Sequence, residues 1–100
     1  MQSKRIIHLG IQVLPLTGDV YAIVHEAIKI IQTSGVKYEV GPLETTLEGD
    51  NLDKLLDVAK SVHRACLDCG AEKVITIIKV ADELEGTTIE NKVQKYREIG

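Results

Sequence analysis

The 100-residue sequence contains no tryptophan, no phenylalanine and only three tyrosines. Proteins that bind single-stranded nucleic acids commonly stack the bases on aromatic side chains, and this chain has few side chains of that kind. The formal net charge of −3 also disfavours nucleic acids, because a phosphate backbone requires a basic surface. The composition therefore predicts that nucleic acid is not a partner.

Long apolar runs and secretory features are also missing. No stretch approaches the roughly 20 apolar residues that a membrane-spanning helix needs, so no membrane contact is expected. The basic segment 1–5 is followed by a run that His8, Gly10 and Gln12 interrupt, which is not the pattern of a signal peptide. The two cysteines are therefore expected to remain reduced in the cytoplasm.

The composition that is present is typical of a small globular chain. Hydrophobic residues make up 44% and charged residues 27%, and the apolar residues are almost all isoleucine, valine, leucine and alanine. A chain of this length can bury one core. We expect residues 1–100 to form one domain.

Hydrophobic periodicity predicts six elements followed by a short helix. Alternation with period two predicts a strand over 6–14, and a high density of β-branched residues predicts another over 73–80. Two short strands, 36–40 and 43–47, are predicted on either side of the Gly41-Pro42 corner. Spacing of three and four residues indicates amphipathic helices that start near Val20 and Leu52, the second with Asp50 or Asn51 as its N-cap. Residues 81–86 are predicted as an acidic loop, with a C-terminal helix after Thr87. The order βαββαβ predicts an α+β, ferredoxin-like sandwich with a C-terminal helix.

In this plan both helices cover one sheet face and leave the other open. The open face would carry Ile6, Gly10 and Leu14 of the first strand, together with isoleucines of the last. Exposed apolar side chains in the middle of a sheet usually mark an interface. The pattern therefore predicts a homo-oligomer, a homodimer or homotetramer, formed by sheet packing or edge pairing. The alternative is that the C-terminal helix folds back over this face.

The residues that most often carry chemistry form no recognisable catalytic or metal-binding pattern. Cys66 and Cys69 make a C-x-x-C at the end of a predicted helix, whereas a redox pair needs the start of a helix and a zinc site needs four ligands. Cys66 lies on the apolar stripe and is predicted to be a core residue. His25 and His63 are interpreted as ordinary helix residues, and His8 should share the open face with Gln12. We therefore expect no enzyme activity, no metal and no cofactor, with an enzyme that uses the cysteines as the weakest alternative.

The segment 38–49 is the most informative part of the chain. Two predicted strands meet there at Gly41-Pro42, and polar side chains follow the corner: Glu44, Thr45, Thr46 and Glu48. Such a strand is either a polar edge that prevents aggregation or a small-molecule site, since carboxylates and hydroxyls can read amino groups. The residues alone leave both interpretations open.

Three stretches resemble the YkoF-like family, whose members bind thiamine or its hydroxymethylpyrimidine moiety. They are Gln12 to Pro15, the run 37–42 continuing into 45–49, and 88–97. The resemblance implies a ferredoxin-like fold, assembly into dimers or tetramers, and ligand binding without catalysis. The ligand-binding positions that it implies are Thr45, Thr46, Glu48, Glu39 and Gln12.

Two functions follow as hypotheses. The first is a non-catalytic carrier, sensor or salvage accessory for thiamine or its pyrimidine precursor. The second is a protein–protein interaction module that uses the open sheet face and has no small ligand.

Overall fold

The strands and helices follow one another in the predicted order in the computed structural model, which describes residues 5–83. The elements are β1 (Ile6–Pro15), α1 (Val20–Thr33), β2 (Lys37–Val40), β3 (Thr45–Gly49), α2 (Leu52–Asp68) and β4 (Val74–Glu83). The strands pair antiparallel in one sheet with the order β2-β3-β1-β4. This architecture confirms the ferredoxin-like α+β prediction. The predicted C-terminal helix lies outside the described residues.

Both helices start at the caps that the sequence provides. The Asp19 carboxylate accepts a hydrogen bond from the backbone nitrogen of Ala22 at 3.2 Å, and the Asn51 side chain accepts one from Lys54 at 3.2 Å. Of the two predicted caps for α2, Asn51 is therefore the one used. Neither helix in the described part of the chain is long and apolar enough to cross a membrane.

The core lies between the two helices and one face of the sheet. Leu9 and Leu47 stand opposite each other on the central strands, and both are fully buried. The buried side chains of α2 are Leu55, Val58, Ala59, Val62 and Cys66. The prediction that Cys66 is a core residue is confirmed.

Two predicted strand boundaries are wrong, for identifiable reasons. The predicted strand 43–47 lies two residues too early, because the backbone nitrogen of Gly41 donates to the carbonyl of Glu44 at 2.9 Å and closes a turn. The predicted acidic loop is also wrong over residues 81–83, which continue β4 by pairing with residues 6–8 of β1. Pairing with β1 thus overrides the polar character of Asp82 and Glu83.

The open face carries the side chains that parity predicted. Along β1 they are Ile6, His8, Gly10, Gln12 and Leu14, since the intervening residues Ile7, Leu9 and Ile11 are buried under the helices. On this face β4 contributes Ile75 and Ile77, which are exposed. The open face is therefore apolar at the end formed by Leu14 and these two isoleucines, and polar around His8.

Candidate binding site

Four of the five predicted ligand-binding residues share the open face. The ladder places Glu39 of β2 opposite Thr46 of β3, and Thr46 opposite Gly10 of β1. Glu48 follows Thr46 on the same face, and Gln12 lies two residues beyond Gly10. Thr45 differs, because it stands opposite Ile11 on the face that the helices cover.

Glu48 is held by two basic side chains. Its Oε1 lies 2.9 Å from Nε2 of His8, and its Oε2 lies 3.0 Å from Nζ of Lys37. The Glu48 side chain is only 11% exposed and that of His8 only 7%. Both carboxylate oxygens thus have partners within the protein, which satisfies the requirement that a buried charge be paired.

Glu44 is paired at only one oxygen. Its Oε1 lies 2.8 Å from Nζ of Lys79 on β4. Its Oε2 is buried and makes no hydrogen bond to any described residue. A buried acceptor without a donor costs about 1–3 kcal/mol. This oxygen is therefore suited to accept a hydrogen bond that a ligand brings.

Gly10 provides the space in which the Glu44 carboxylate lies. A Cβ atom at position 10 would fall within 2.9 Å of the Glu44 carboxyl carbon and closer still to Oε2. Glycine inside a strand often marks a place where another group approaches the backbone closely. Here that group is the carboxylate of Glu44.

These residues surround a depression on the open face that we call the open-face pocket. It has a volume of about 250 Å³. The lining residues are His8, Gly10, Glu44, Thr46, Lys79, Val80 and Ala81. The pocket combines a partly unsatisfied carboxylate, a hydroxyl and an ammonium group with two small aliphatic walls.

A second space, the corner cavity, lies between α1 and the Gly41–Glu44 turn. Its volume is about 150 Å³, and most of its lining residues are aliphatic; the residues with polar side chains among them are Gln12, Glu44 and Thr45. Of the five predicted residues, Thr46 lines the open-face pocket, Gln12 and Thr45 line the corner cavity, and Glu39 and Glu48 line neither space. Glu44 borders both spaces.

The sequence prediction did not include Glu44 or Gly10 among the ligand-binding residues. Glu44 stood in the polar run after the corner, but nothing in the sequence distinguished it from its neighbours. Gly10 carried a usable signal, since an isolated glycine in an alternating strand is a candidate for close approach. Lys79 could not be identified from the sequence as the partner of Glu44, because its position depends on the register between β1 and β4.

His63 makes a contact between two elements. Its Nδ1 lies 2.6 Å from the Thr76 hydroxyl and links α2 to β4. Within residues 5–83 no group of three or more histidine, cysteine or acidic side chains is arranged to hold a metal ion.

The two cysteines are expected to differ sharply in reactivity. Cys66 is fully buried and Cys69 is exposed. Burial raises the pKa of the Cys66 thiol, and the neighbouring Cys69 adds to the shift, so the reactive thiolate of Cys66 is scarce. Native protein treated with iodoacetamide should be modified rapidly at Cys69 and at Cys66 only after denaturation, as peptide mass spectrometry would show. A Cys69→Ser control should lose the rapid reaction, and equal native rates at both thiols would contradict the assignment.

Comparison with known proteins identifies the family. A sequence profile described as thiamine-binding protein matches residues 9–97. The chain belongs to this thiamine-binding protein family. The match includes Gly10 and the whole corner segment from β2 to β3.

Relatives of the family support the fold over almost the full chain. A UPF0045 protein of Clostridium perfringens is 41% identical over 92 residues, which is 90% of this chain and 96% of the relative. The structure of a domain of unknown function from Bacillus cereus is 50% identical with a TM-score of 0.84, covering 95% of this chain and 93% of that one. A Thermotoga maritima protein provisionally named for thiamine biosynthesis or salvage is 33% identical with a TM-score of 0.79, covering 92% and 99%.

Proposed function

We propose that this protein binds thiamine or its hydroxymethylpyrimidine moiety in the open-face pocket without transforming it. Membership of the thiamine-binding family supports the ligand class, and the name of the Thermotoga maritima structure points to the same metabolism. The observation that carries the location is the buried Oε2 of Glu44, which has no hydrogen-bond donor within residues 5–83.

The aminopyrimidine ring offers the donor that Glu44 lacks. Its exocyclic amino group would donate to Oε2, while Oε1 remains paired with Lys79. The hydroxyl of Thr46 can donate to a ring nitrogen, and Val80 and Ala81 provide aliphatic contacts. Binding would give the buried carboxylate oxygen a hydrogen-bond donor, and the removal of this free-energy cost would contribute to the affinity.

The charge around the pocket suits a cationic ligand. Three carboxylates lie on or beside this part of the open face, those of Glu39, Glu44 and Glu48, against the ammonium groups of Lys37 and Lys79. The positive thiazolium of thiamine would gain from the excess of acidic groups. Phosphate esters of thiamine would instead meet these carboxylates and bind more weakly, because like charges repel.

A pocket of this size matches a ring better than a whole cofactor. Ligand sites usually enclose roughly 300–1,000 Å³, and the open-face pocket has about 250 Å³. The pyrimidine ring would occupy it, with the rest of thiamine extending along the open face. The pocket offers binding groups and no nucleophile with an adjacent base, in keeping with a role as carrier, sensor or salvage accessory.

Calorimetric titration tests the proposed function. Purified protein titrated with thiamine, hydroxymethylpyrimidine and thiamine phosphate should show saturable heat for the first two and weaker binding of the phosphate ester. Thermal unfolding in the presence of each ligand should move to higher temperature in the same order, because a ligand that binds only the folded state stabilises it. Absence of both heat and thermal shift at millimolar concentrations would reject the proposal and favour the interaction module.

A further inference from the structure

Strand β1 extends beyond the start of β3. It pairs with β4 along all ten of its residues, whereas its register with β3 stops where Ile11 lies opposite Thr45. The backbone nitrogen of Leu16 donates to a carbonyl next to β4 at 3.0 Å. Because backbone direction alternates along a strand, Val13 directs its N–H and carbonyl to the β3 side, where no strand within residues 5–83 lies beside it. The hydrogen-bonding edge of β1 is therefore open at this position.

Leu43 is the residue that would continue β3 to this edge. One further hydrogen-bonded pair in the same register would place Leu43 opposite Val13. In the structure Leu43 lies instead in the turn closed by the bond between Gly41 and Glu44, and it is 80% exposed. The local sequence predicts a strand from residue 43, so an extended conformation agrees with the pattern of the chain. An exposed leucine thus lies next to an open strand edge.

The corner cavity can hold the Leu43 side chain. Side chains alternate between the two faces along a strand, so an extended Leu43 would point to the same face as Thr45, which the helices cover. That face borders the corner cavity of about 150 Å³, whose walls include Val24 and Ile28 of α1. An apolar cavity of this order accommodates benzene, which is larger than the side chain of leucine.

We propose that the Gly41–Glu44 turn is a lid that closes when a ligand binds, with Leu43 entering the corner cavity and its backbone pairing with Val13. Closure would bury an exposed leucine and give the backbone groups of Val13 their missing partners. In exchange, the single backbone bond between Gly41 and Glu44 would be lost. The chain itself would thus supply the occupant of the corner cavity.

Glu44 connects the lid to the ligand, and this step rests on the proposed function. A ligand held by Oε2 of Glu44 would fix that side chain on the open face. With Glu44 fixed there, an extended backbone directs the preceding residue, Leu43, to the opposite face. A ligand shifts a conformational equilibrium only if it binds one state better than the other, and here it would favour the closed state.

Alkylation of a Leu43→Cys variant tests closure. Without ligand, iodoacetamide should modify the cysteine at position 43 as rapidly as Cys69, which is also exposed. Saturating hydroxymethylpyrimidine should slow the reaction at position 43 by at least about tenfold, the protection expected when about nine-tenths of the molecules are closed. Cys69 is the internal control, and peptide mass spectrometry should show an unchanged rate there. Unchanged alkylation at position 43, in a variant that calorimetry shows to be saturated, would overturn the lid and leave the proposed function standing.

Leu43→Ala should separate ligand affinity from stability. The variant should bind hydroxymethylpyrimidine roughly tenfold more weakly than wild type, because closure would bury less apolar surface. Its unfolding free energy without ligand should remain close to that of wild type, since Leu43 is exposed in that state. Leu67→Ala on α2 also shortens an exposed leucine and should leave the affinity unchanged. Wild-type affinity in Leu43→Ala would contradict the lid.

Disulfide trapping tests the lid without any ligand. In a Cys69→Ser background, Val13→Cys combined with Leu43→Cys should form an intramolecular disulfide under mild oxidation, since paired residues have Cα atoms about 5.5 Å apart, within disulfide range. Gln12→Cys combined with Leu43→Cys should cross-link much more slowly, because these side chains would point to opposite faces. Failure of the first pair to cross-link, or equal rates for both pairs, would overturn the lid whether or not the protein binds a pyrimidine.

Discussion

Replacing Glu44 by glutamine is expected to weaken the binding of thiamine or hydroxymethylpyrimidine by roughly 10- to 100-fold. A hydrogen bond to a charged group contributes about 1.5–3 kcal/mol, and each 1.4 kcal/mol is about tenfold in affinity. Glutamine retains the shape of the side chain but loses the charge that favours the amino group and the thiazolium. Titration calorimetry of the variant beside wild type measures the change directly.

The same variant should not lose stability in the absence of ligand. The pair between Glu44 and the exposed Lys79 contributes at most about 1 kcal/mol, and the substitution replaces the buried, unpartnered carboxylate oxygen with a neutral amide group, which costs less to bury than a charged one. Chemical denaturation should therefore give an unfolding free energy close to that of wild type. Glu26→Gln removes a carboxylate from the surface of α1 and serves as the control, with unchanged affinity. Wild-type affinity in Glu44→Gln would exclude Glu44 from the site.

Gly10→Ala is expected to reduce ligand affinity about as strongly as Glu44→Gln while leaving the fold intact. The added Cβ would occupy the space of the Glu44 carboxyl group, so the carboxylate must swing away. The far end of a flexible side chain moves at little cost, and alanine restricts the unfolded chain more than glycine does. Denaturation should therefore show stability equal to or slightly above that of wild type, whereas titration should show the loss.

Two comparisons separate displacement of Glu44 from a general effect on the sheet. The double variant Gly10→Ala with Glu44→Gln should bind no more weakly than the weaker single variant, because both changes remove the same interaction. Gly49→Ala on β3 directs its Cβ toward Leu55 in the core, at 3.2 Å from Cδ2, and should cost stability without changing the affinity of the folded protein. Additive losses in the double variant would show that Gly10 acts by another route.

The sequence was sufficient for the fold because β1 alternates with period two, both helices carry an apolar stripe, and β4 is dense in β-branched residues. The alternation in β1 correctly separated Leu9, which is buried, from Gln12 on the open face. Element ends were less predictable, since they depend on partners distant in sequence. Asp82 lies in a strand because it pairs with Ile7 of β1. Leu43 lies outside the strands because it belongs to the turn that the hydrogen bond between Gly41 and Glu44 closes.

For the candidate site, the sequence predicted which side chains share a face of a strand, but not the contacts that they make. Parity placed Thr46 and Glu48 on one face of their strand, and the structure shows that this is the open face. It could not show that Glu48 is held by His8, because that contact depends on the register between β1 and β3. Nor could it show that Glu44 has one oxygen without a partner, which depends on Lys79 and on the space above Gly10.

A crystal structure of the protein with hydroxymethylpyrimidine or thiamine bound is the most direct test of the proposed site. The account predicts the pyrimidine in the open-face pocket, with its exocyclic nitrogen about 2.7–3.2 Å from Oε2 of Glu44. The ring should lie near Thr46 and Ala81. Density for the ligand in the corner cavity, or anywhere that leaves Oε2 of Glu44 without a donor, would contradict it.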